Sequence, residues 1–79
     1  MAAQTPSPRS LGAAVRARRQ AKDMTLEALA DAAGMNVTYV SDIERGRGNP
    51  SIGKLGDLAA VFEMRVSALI AEAEDRPEQ

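Results

Sequence analysis

The chain has 79 residues and contains neither cysteine nor histidine, so we expect one small domain without disulfides or histidine-ligated metal sites. No apolar run approaches the roughly 20 residues of a membrane-spanning helix, and the N-terminus lacks the apolar core of a signal peptide, so a cytoplasmic location is expected. The net charge is −1, but the charges are unevenly distributed: residues 9–56 hold eight basic and five acidic residues, whereas residues 72–79 hold one basic and four acidic residues. Because local charge rather than net charge attracts a polyanion, a nucleic-acid partner remains possible.

The first third of the chain predicts an arm followed by two helices. Residues 1–8 contain two prolines among small polar residues, which favours a disordered N-terminal arm. Ser10 is predicted to cap a first helix that runs to about Lys22, because apolar residues recur after it at helical spacing. Thr25 is predicted to cap a second helix, which ends at Gly34.

The rest of the chain predicts three more helices and no strand. Asn36 is a good cap for a third helix ending at Gly46, and Ser51 caps a fourth after the turn-rich segment "RGRGNPS". Apolar residues from Val66 to Ile70 predict a short fifth helix. The fold class is therefore expected to be all-α, a compact five-helix domain. The expected boundaries are the arm at 1–8, the domain at 9–71 and an acidic C-terminal tail at 72–79.

The second and third predicted helices meet the geometric demands of a helix-turn-helix. Two helices that cross steeply through a tight turn need a small residue at their contact and a turn residue that tolerates positive φ. Ala30 and Gly34 supply these two residues. Apolar anchors seal the pair on the inner side: Leu29, Met35, Val40 and Ile43.

Three motifs within residues 11–70 resemble the lambda-repressor-like DNA-binding family of Cro/repressor or xenobiotic-response-element type. They are "LGAAVRARR", "MTLEALA" and "YVSDIERGRGNPS". The resemblance implies a sequence-specific, double-stranded DNA-binding transcriptional regulator, a small stand-alone repressor or controller of bacterial or phage type. No domain for a small-molecule effector is expected in this chain, and the protein is expected at the nucleoid when it is bound to DNA.

The resemblance also implies a recognition helix at about 37–45 that lies in the major groove. Three side chains are then expected to read base edges: Val37, Thr38 and Asp42. A threonine hydroxyl can donate or accept, a valine can contact a thymine methyl, and a carboxylate can accept from the cytosine amine. For Asp42, a solvent-facing charge remains an equal alternative.

A second set of residues is expected at the DNA backbone. Helix N-termini carry free amides that bind anions, and a basic loop follows the recognition helix. The candidates are Thr25, Leu26, Asn36, Tyr39, Arg45, Arg47, Asn49, Ser51 and Lys54. Leu26 stands where many family members have a glutamine whose amide meets phosphate, so one side-chain contact is expected to be missing.

The resemblance assigns a structural role to Arg19 and Glu44, which are expected to form a partly buried ion pair between the first and third helices. Two departures from good helix-forming sequence lie in the fourth helix, where Gly53 and Gly56 require either a close contact or local looseness. Glu63 stands where relatives usually have a glycine, so the turn after the fourth helix is expected to differ.

Five apolar residues near the C-terminus are more than one small domain can easily bury: Val61, Met64, Val66, Leu69 and Ile70. Each one alone fits an ordinary core. As a group they predict the interface of a homodimer that binds two half-sites about one DNA turn apart.

Two alternative functions fit the same sequence. An antitoxin-type regulator would also bind a toxin through the arm or the tail, and a protein-interaction module would keep the fold without binding DNA. Enzyme activity is not expected, because the chain has no Ser-His or Cys-His pair, no plausible pair of catalytic carboxylates and no phosphate-binding glycine loop. Neither a cofactor nor a metal ion is expected.

Overall fold

The computed structural model describes residues 6–76, and within that range it contains five α-helices and no strand. The helices are α1 (Pro8–Ala21), α2 (Leu26–Ala33), α3 (Val37–Glu44), α4 (Ile52–Val61) and α5 (Val66–Glu74). The expected all-α fold class is confirmed. None of these helices is long and apolar enough to cross a membrane.

Local capping chemistry fixes where three of the helices begin. The side chains of Thr25, Asn36 and Ser51 accept hydrogen bonds from backbone amides two or three residues ahead, at 3.0, 2.8 and 3.1 Å respectively. Each bond satisfies an amide that the first helical turn leaves without a partner. The predicted N-caps of α2, α3 and α4 are confirmed.

Helix α1 begins earlier than predicted. Its cap is Ser7, whose hydroxyl accepts from the Ser10 amide at 3.0 Å, and Pro8 occupies the first helical position. Proline suits that position because its missing N–H would be unsatisfied there anyway. The prediction of Ser10 as the cap is therefore wrong, and the predicted arm at 1–8 overlaps α1 at Pro8. The first five residues of that arm lie outside the described residues.

Helix α5 extends into the segment that was predicted to be an acidic tail at 72–79. Ala73 is 1% exposed and belongs to the core, because it lies one turn beyond Leu69 on the inward side of the helix. The boundary of the folded domain therefore lies beyond residue 71. Residues 77–79 lie outside the described residues.

An ion pair with Arg18 also holds the last turn of α5 against α1. The Arg18 Nε donates to Glu72 Oε1 at 2.9 Å, and a second guanidinium nitrogen contacts Oε2. The hydrogen bond from Arg18 lowers the pKa of Glu72 below its ordinary value. A carboxyl group with a lowered folded-state pKa stabilises the fold above its unfolded-state pKa, and this stabilisation is lost as the pH falls through the folded-state pKa.

We therefore expect Glu72→Gln to reduce the acid sensitivity of folding. Between about pH 5 and pH 3, the wild-type free energy of unfolding should fall more steeply than that of the variant. Urea unfolding followed by circular dichroism at several pH values measures this. Glu74→Gln removes an exposed acid of the same helix that has no ion-pair partner among residues 6–76 and should keep the wild-type slope. Parallel profiles for wild type and Glu72→Gln would contradict the prediction.

The core is formed by one apolar side of each helix. Helix α1 packs against α3 and α5, α2 packs against α3 and α4, and α4 also packs against α5. The buried apolar residues are Leu11, Ala14, Val15, Leu29, Ala30, Val40, Ile43, Leu55, Leu58, Ala59, Phe62, Leu69 and Ala73. Because α3 is fixed on its inner side by α1 and α2, its outer side is held rigidly at the surface.

The packing of α1 on α3 depends on Gly12. A Cβ atom at this position would lie 2.2 Å from the backbone oxygen of Ile43 and 2.6 Å from that of Glu44. Both atoms belong to the last turn of α3, whose main chain cannot move aside independently of the helix. Glycine is therefore required for this close approach, which the sequence pattern did not indicate.

Four helices end in the same left-handed turn. The residues with positive φ at these four helix ends are Asp23 (55°), Gly34 (70°), Gly46 (79°) and Glu63 (59°). The amide of the following residue donates back to the carbonyl five residues earlier, as Met35 does to Ala30 at 2.8 Å. Met24, Met35 and Met64 follow three of these turns and pack against the core, which is the hydrophobic contact that accompanies this type of helix end.

The turn after α4 therefore has the geometry that a glycine would give, although Glu63 occupies it. A non-glycine residue at positive φ costs roughly 1–2 kcal/mol. We expect Glu63→Gly to raise the free energy of unfolding by about 0.5–1 kcal/mol, because its exposed contact with Lys22, 4.0 Å between Nζ and Oε1, adds little. Thermal unfolding measures the change. The control Ala60→Gly, inside α4, should lower stability by about 1 kcal/mol, and a destabilised Glu63→Gly would count against strain at this turn.

The two glycines within α4 have no close contact to explain them. A Cβ at Gly53 would meet only the Ser51 Oγ, at 3.8 Å, and one at Gly56 would meet nothing within 4 Å. Of the two explanations offered by the sequence, the structure excludes the close contact.

Leu69 does not lie at the surface as the predicted dimer interface requires. Its side chain is 0% exposed and forms part of the core of the single chain, so it has no surface to offer a partner. The other four members of that predicted interface are partly buried and keep some exposed area: Val61, Met64, Val66 and Ile70.

Candidate nucleic-acid interface

Helices α2 and α3 form a helix-turn-helix around a turn at residues 34–36. Gly34 adopts the left-handed conformation, with φ 70°, that reverses the chain direction. Ala30 is buried at the contact of the two helices, and Leu29, Val40 and Ile43 are buried behind it. The residues predicted from spacing to join these helices therefore all lie where the motif requires them.

The three predicted base-reading residues lie on α3 and differ in exposure. Thr38 is exposed and Asp42 is half-buried, whereas Val37 packs partly against the core. Thr38 and Asp42 are four residues apart and so share one side of the helix. This side presents a hydroxyl and a carboxylate to solvent, while Val37 has less surface to offer.

Asp42 has a neighbour that its sequence position did not indicate. The Arg47 amide donates to the Asp42 backbone oxygen at 2.9 Å, and the Arg47 Nη1 lies 4.0 Å from the Asp42 Oδ1. Both side chains are exposed enough for water to screen the pair. Asp42 therefore lies near a basic side chain, and both side chains are in contact with solvent.

The start of α4 lies beside the start of α3. Lys54 from the first turn of α4 lines a shallow surface groove together with Gly34, Met35, Asn36 and Tyr39. Tyr39 is 38% exposed. Two capped helix N-termini, each with free first-turn amides, therefore lie next to a lysine and a tyrosine hydroxyl.

The predicted backbone-contacting residues are at the surface, with one exception. Thr25, Asn36, Tyr39, Arg45, Arg47, Asn49, Ser51 and Lys54 are all exposed, whereas Leu26 is half-buried and packs against the core. Its side chain therefore has a packing role, and only its backbone amide remains as a candidate contact.

Arg19 and Glu44 form a two-point ion pair that ties α1 to α3. The Arg19 Nε donates to Glu44 Oε2 at 2.8 Å and its Nη2 donates to Oε1 at 3.1 Å. A third bond runs from Nη1 to the Met24 backbone oxygen at 2.9 Å. The side chains are only 14% and 6% exposed, and the hydrogen bond to Glu44 raises the pKa of Arg19 further above its ordinary value. The pair implied by the family resemblance is present.

Sequence reasoning missed Arg16 and Ser41. Both line a surface cleft over the Arg19–Glu44 pair, together with Leu26 and Arg45. Both lie within motifs that carry the family resemblance, but the motifs do not show that the two residues share a site, because the cleft forms only when α1, α2 and α3 pack together.

Comparison with known proteins shows that the chain is similar to helix-turn-helix transcriptional regulators. The helix-turn-helix family HTH_3 matches the chain over residues 15–69. The HTH-type transcriptional regulator DdrOP3 of Deinococcus deserti is 40% identical over 60 residues, which make up 76% of this chain and 46% of that protein. The chain therefore spans less than half the length of this curated relative.

The fold is shared with solved structures of other regulators, including ClgR and SinR. The clp gene regulator ClgR from Corynebacterium glutamicum matches with a TM-score of 0.79 and 35% identity, over 84% of this chain and 70% of that chain. SinR, a master regulator for biofilm formation solved in complex with DNA, matches with a TM-score of 0.71 and 37% identity, over 75% of this chain and 95% of that chain.

Proposed function

We propose that this chain, which belongs to the helix-turn-helix family HTH_3, binds double-stranded DNA sequence-specifically and regulates transcription. The observation that carries the proposal is the convergence of exposed polar and basic groups around α3. Thr38 on its outer side, Lys54 beside its first turn and Arg47 after its last turn line one helix whose inner side is fixed in the core. A rigid helix flanked by basic groups suits insertion into the major groove.

In this proposal α3 reads base edges from its outer side. Thr38 donates to or accepts from a base edge, and Val37 contributes a small apolar contact to a thymine methyl. Asp42 accepts from a cytosine amine or holds Arg47 in place, since its Oδ1 lies 4.0 Å from the Arg47 Nη1. Because this reading surface is short, part of the specificity comes from groove shape and DNA deformability.

The DNA backbone is gripped on both sides of α3. The start of α2 at Thr25 and the start of α4 at Ser51 direct free amides outward, where a phosphate can accept from them. Arg45 lines a cleft together with the first residue of α2, and Lys54 belongs to the first turn of α4, so both add positive charge near these amides. Arg47 is exposed after the end of α3. Such contacts position the protein without reading sequence and make binding salt-dependent.

The protein binds as a homodimer in this proposal, with one subunit on each of two half-sites. Val61, Met64, Val66 and Ile70 remain partly exposed near the start of α5 and the end of α4, and a two-fold axis through this surface would bury them. Light scattering of the free protein and of its DNA complex tests this. A monomer in both states at high micromolar concentration would exclude the dimer.

We expect Thr38→Ala to relax the base preference at one or two positions of each half-site. The cost of losing a base contact is about 1–3 kcal/mol at that position. Selection from a randomised duplex library, with each protein separately, measures the preference. Thr38→Ser keeps the hydroxyl and should retain the wild-type motif, as should Ser67→Ala on the distant helix α5. An identical motif for Thr38→Ala would remove Thr38 from the reading surface, and the absence of any enriched motif for wild type would contradict sequence-specific binding.

A further inference from the structure

We infer that the cleft between α1, the start of α2 and the end of α3 binds a DNA backbone phosphate, held chiefly by Arg16 and Arg45. This inference rests on the proposed function and extends it to a residue, Arg16, that sequence reasoning did not place at the DNA. The cleft is lined by Arg16, Arg19, Leu26, Ser41, Glu44 and Arg45 and has a volume of about 210 Å³. That is room for roughly seven water molecules at ~30 Å³ each, enough for a partly hydrated phosphate group.

The charges in this cleft are unbalanced. Arg19 and Glu44 neutralise each other through their two-point pair, which leaves Arg16 and Arg45. In the part of the chain that the structure describes, neither of these two side chains makes a hydrogen bond or an ion pair. Two positively charged side chains that line one cleft give it a positive local potential, which favours the binding of an anion.

Other donors surround the same space. The Ser41 hydroxyl lines the cleft. At the start of α2, the Thr25 side chain takes the Ala28 amide, so the amides of Leu26 and Glu27 have no acceptor within residues 6–76. A phosphate oxygen in the cleft would therefore meet neutral donors as well as guanidinium groups, the combination that favours a phosphate over a chloride ion.

The cleft is continuous with the proposed reading side of α3. Thr38, Ser41 and Arg45 are spaced i, i+3 and i+7 and therefore follow one side of the helix. When Thr38 contacts a base edge, the cleft lies farther along the same side of α3, toward the end of the helix. A DNA strand leaving the groove would thus bring its backbone to Arg45 and, across the cleft, to Arg16.

The matched pair Arg16→Gln and Arg18→Gln tests this site. Both variants remove one positive charge from α1, but Arg18 is paired with Glu72 on α5 and does not line the cleft. On the selected duplex, the slope of log affinity against log salt concentration should fall by about 0.9 for Arg16→Gln, with about an eightfold loss of affinity at 0.1 M salt. Arg18→Gln should keep the wild-type slope, and circular dichroism verifies that both variants are folded.

Neutral methylphosphonate linkages identify the phosphate itself. Replacing each phosphate of the half-site in turn should reveal one position where the replacement costs wild type more affinity than it costs Arg16→Gln, because Arg16→Gln has already lost part of that contact. If every replacement weakens Arg16→Gln as much as wild type, or if Arg16→Gln and Arg18→Gln lower the slope equally, the cleft is not a phosphate site, although the proposed function stands. If wild type binds no duplex at all, the proposed function and this inference both fail.

Discussion

Replacing Gly12 with alanine is expected to destabilise the domain more than the same substitution at any other glycine of the chain. The new Cβ would lie 2.2 Å from the Ile43 backbone oxygen, so α1 would have to withdraw from α3 by roughly 1 Å and open voids in a close-packed core. Overpacking of this kind costs about 3 kcal/mol or more when the obstacle is backbone. The total free energy of unfolding of a 79-residue domain is roughly 4–12 kcal/mol.

Thermal unfolding by circular dichroism measures the effect of Gly12→Ala. A loss of 3 kcal/mol corresponds to a fall in Tm of about 12–24 °C for a domain of this size. Gly56→Ala makes the same chemical change in α4, where a Cβ meets nothing within 4 Å, and should raise stability by up to about 1 kcal/mol. A Gly12→Ala variant with wild-type Tm would show that α1 does not approach α3 so closely.

Breaking the Arg19–Glu44 pair is expected to be the second change with a large effect on stability. Glu44→Gln leaves the Arg19 guanidinium charged and mostly buried without its counter-ion, which we expect to lower the free energy of unfolding by about 3 kcal/mol. The variant should also weaken DNA binding, because the pair fixes α3 on α1 and its loss lets the reading side move. Urea unfolding measures the first effect and fluorescence anisotropy measures the second.

A matched control and a double variant separate charge from packing at this pair. Glu74→Gln makes the same substitution at an exposed position and should leave stability nearly unchanged. Arg19→Met combined with Glu44→Leu replaces both charges by apolar side chains and should recover part of the stability that Glu44→Gln loses. Equal stability for wild type and Glu44→Gln would show that the pair does not hold α1 to α3.

The parts of the structure that follow from local chemistry could be predicted from the sequence. An N-cap needs only a side-chain oxygen and an amide two or three residues ahead, so Thr25, Asn36 and Ser51 were identifiable. The apolar periodicity around Gly34 was equally local and located the helix-turn-helix. At the start of α1 the prediction named Ser10, whereas Ser7 caps the helix and Pro8 occupies the first helical position, which suits proline.

The parts that depend on packing between distant segments could not be predicted. Gly12 is required because of the backbone at the end of α3, about thirty residues away, and the apolar periodicity of α1 does not indicate this requirement. Leu69 has the same apolar character as its neighbours, and only the packing of α5 on α1 and α4 decides that it is core. Arg16 is one of several arginines on α1, and only the cleft distinguishes it.

In the candidate site, too, the features that depend on local chemistry were predictable and those that depend on packing were not. The predicted backbone-contacting residues are exposed because helix starts and loops lie at the surface, except Leu26, whose apolar side chain packs inward. The position of Arg47 near Asp42 was not predictable, because it depends on the left-handed turn at Gly46. Side-chain roles within a predicted site therefore needed the geometry of the turns.

The central claim is sequence-specific DNA binding through α3, and one measurement tests it most directly. Fluorescence anisotropy of wild type is recorded on duplex fragments from upstream of its own coding sequence and on a scrambled duplex, across a salt series. We expect binding to one upstream fragment at least about a thousandfold tighter than to the scrambled duplex, with affinity falling as salt rises. Equally weak binding to every duplex would contradict the claim and would favour a protein-interaction module on the same fold.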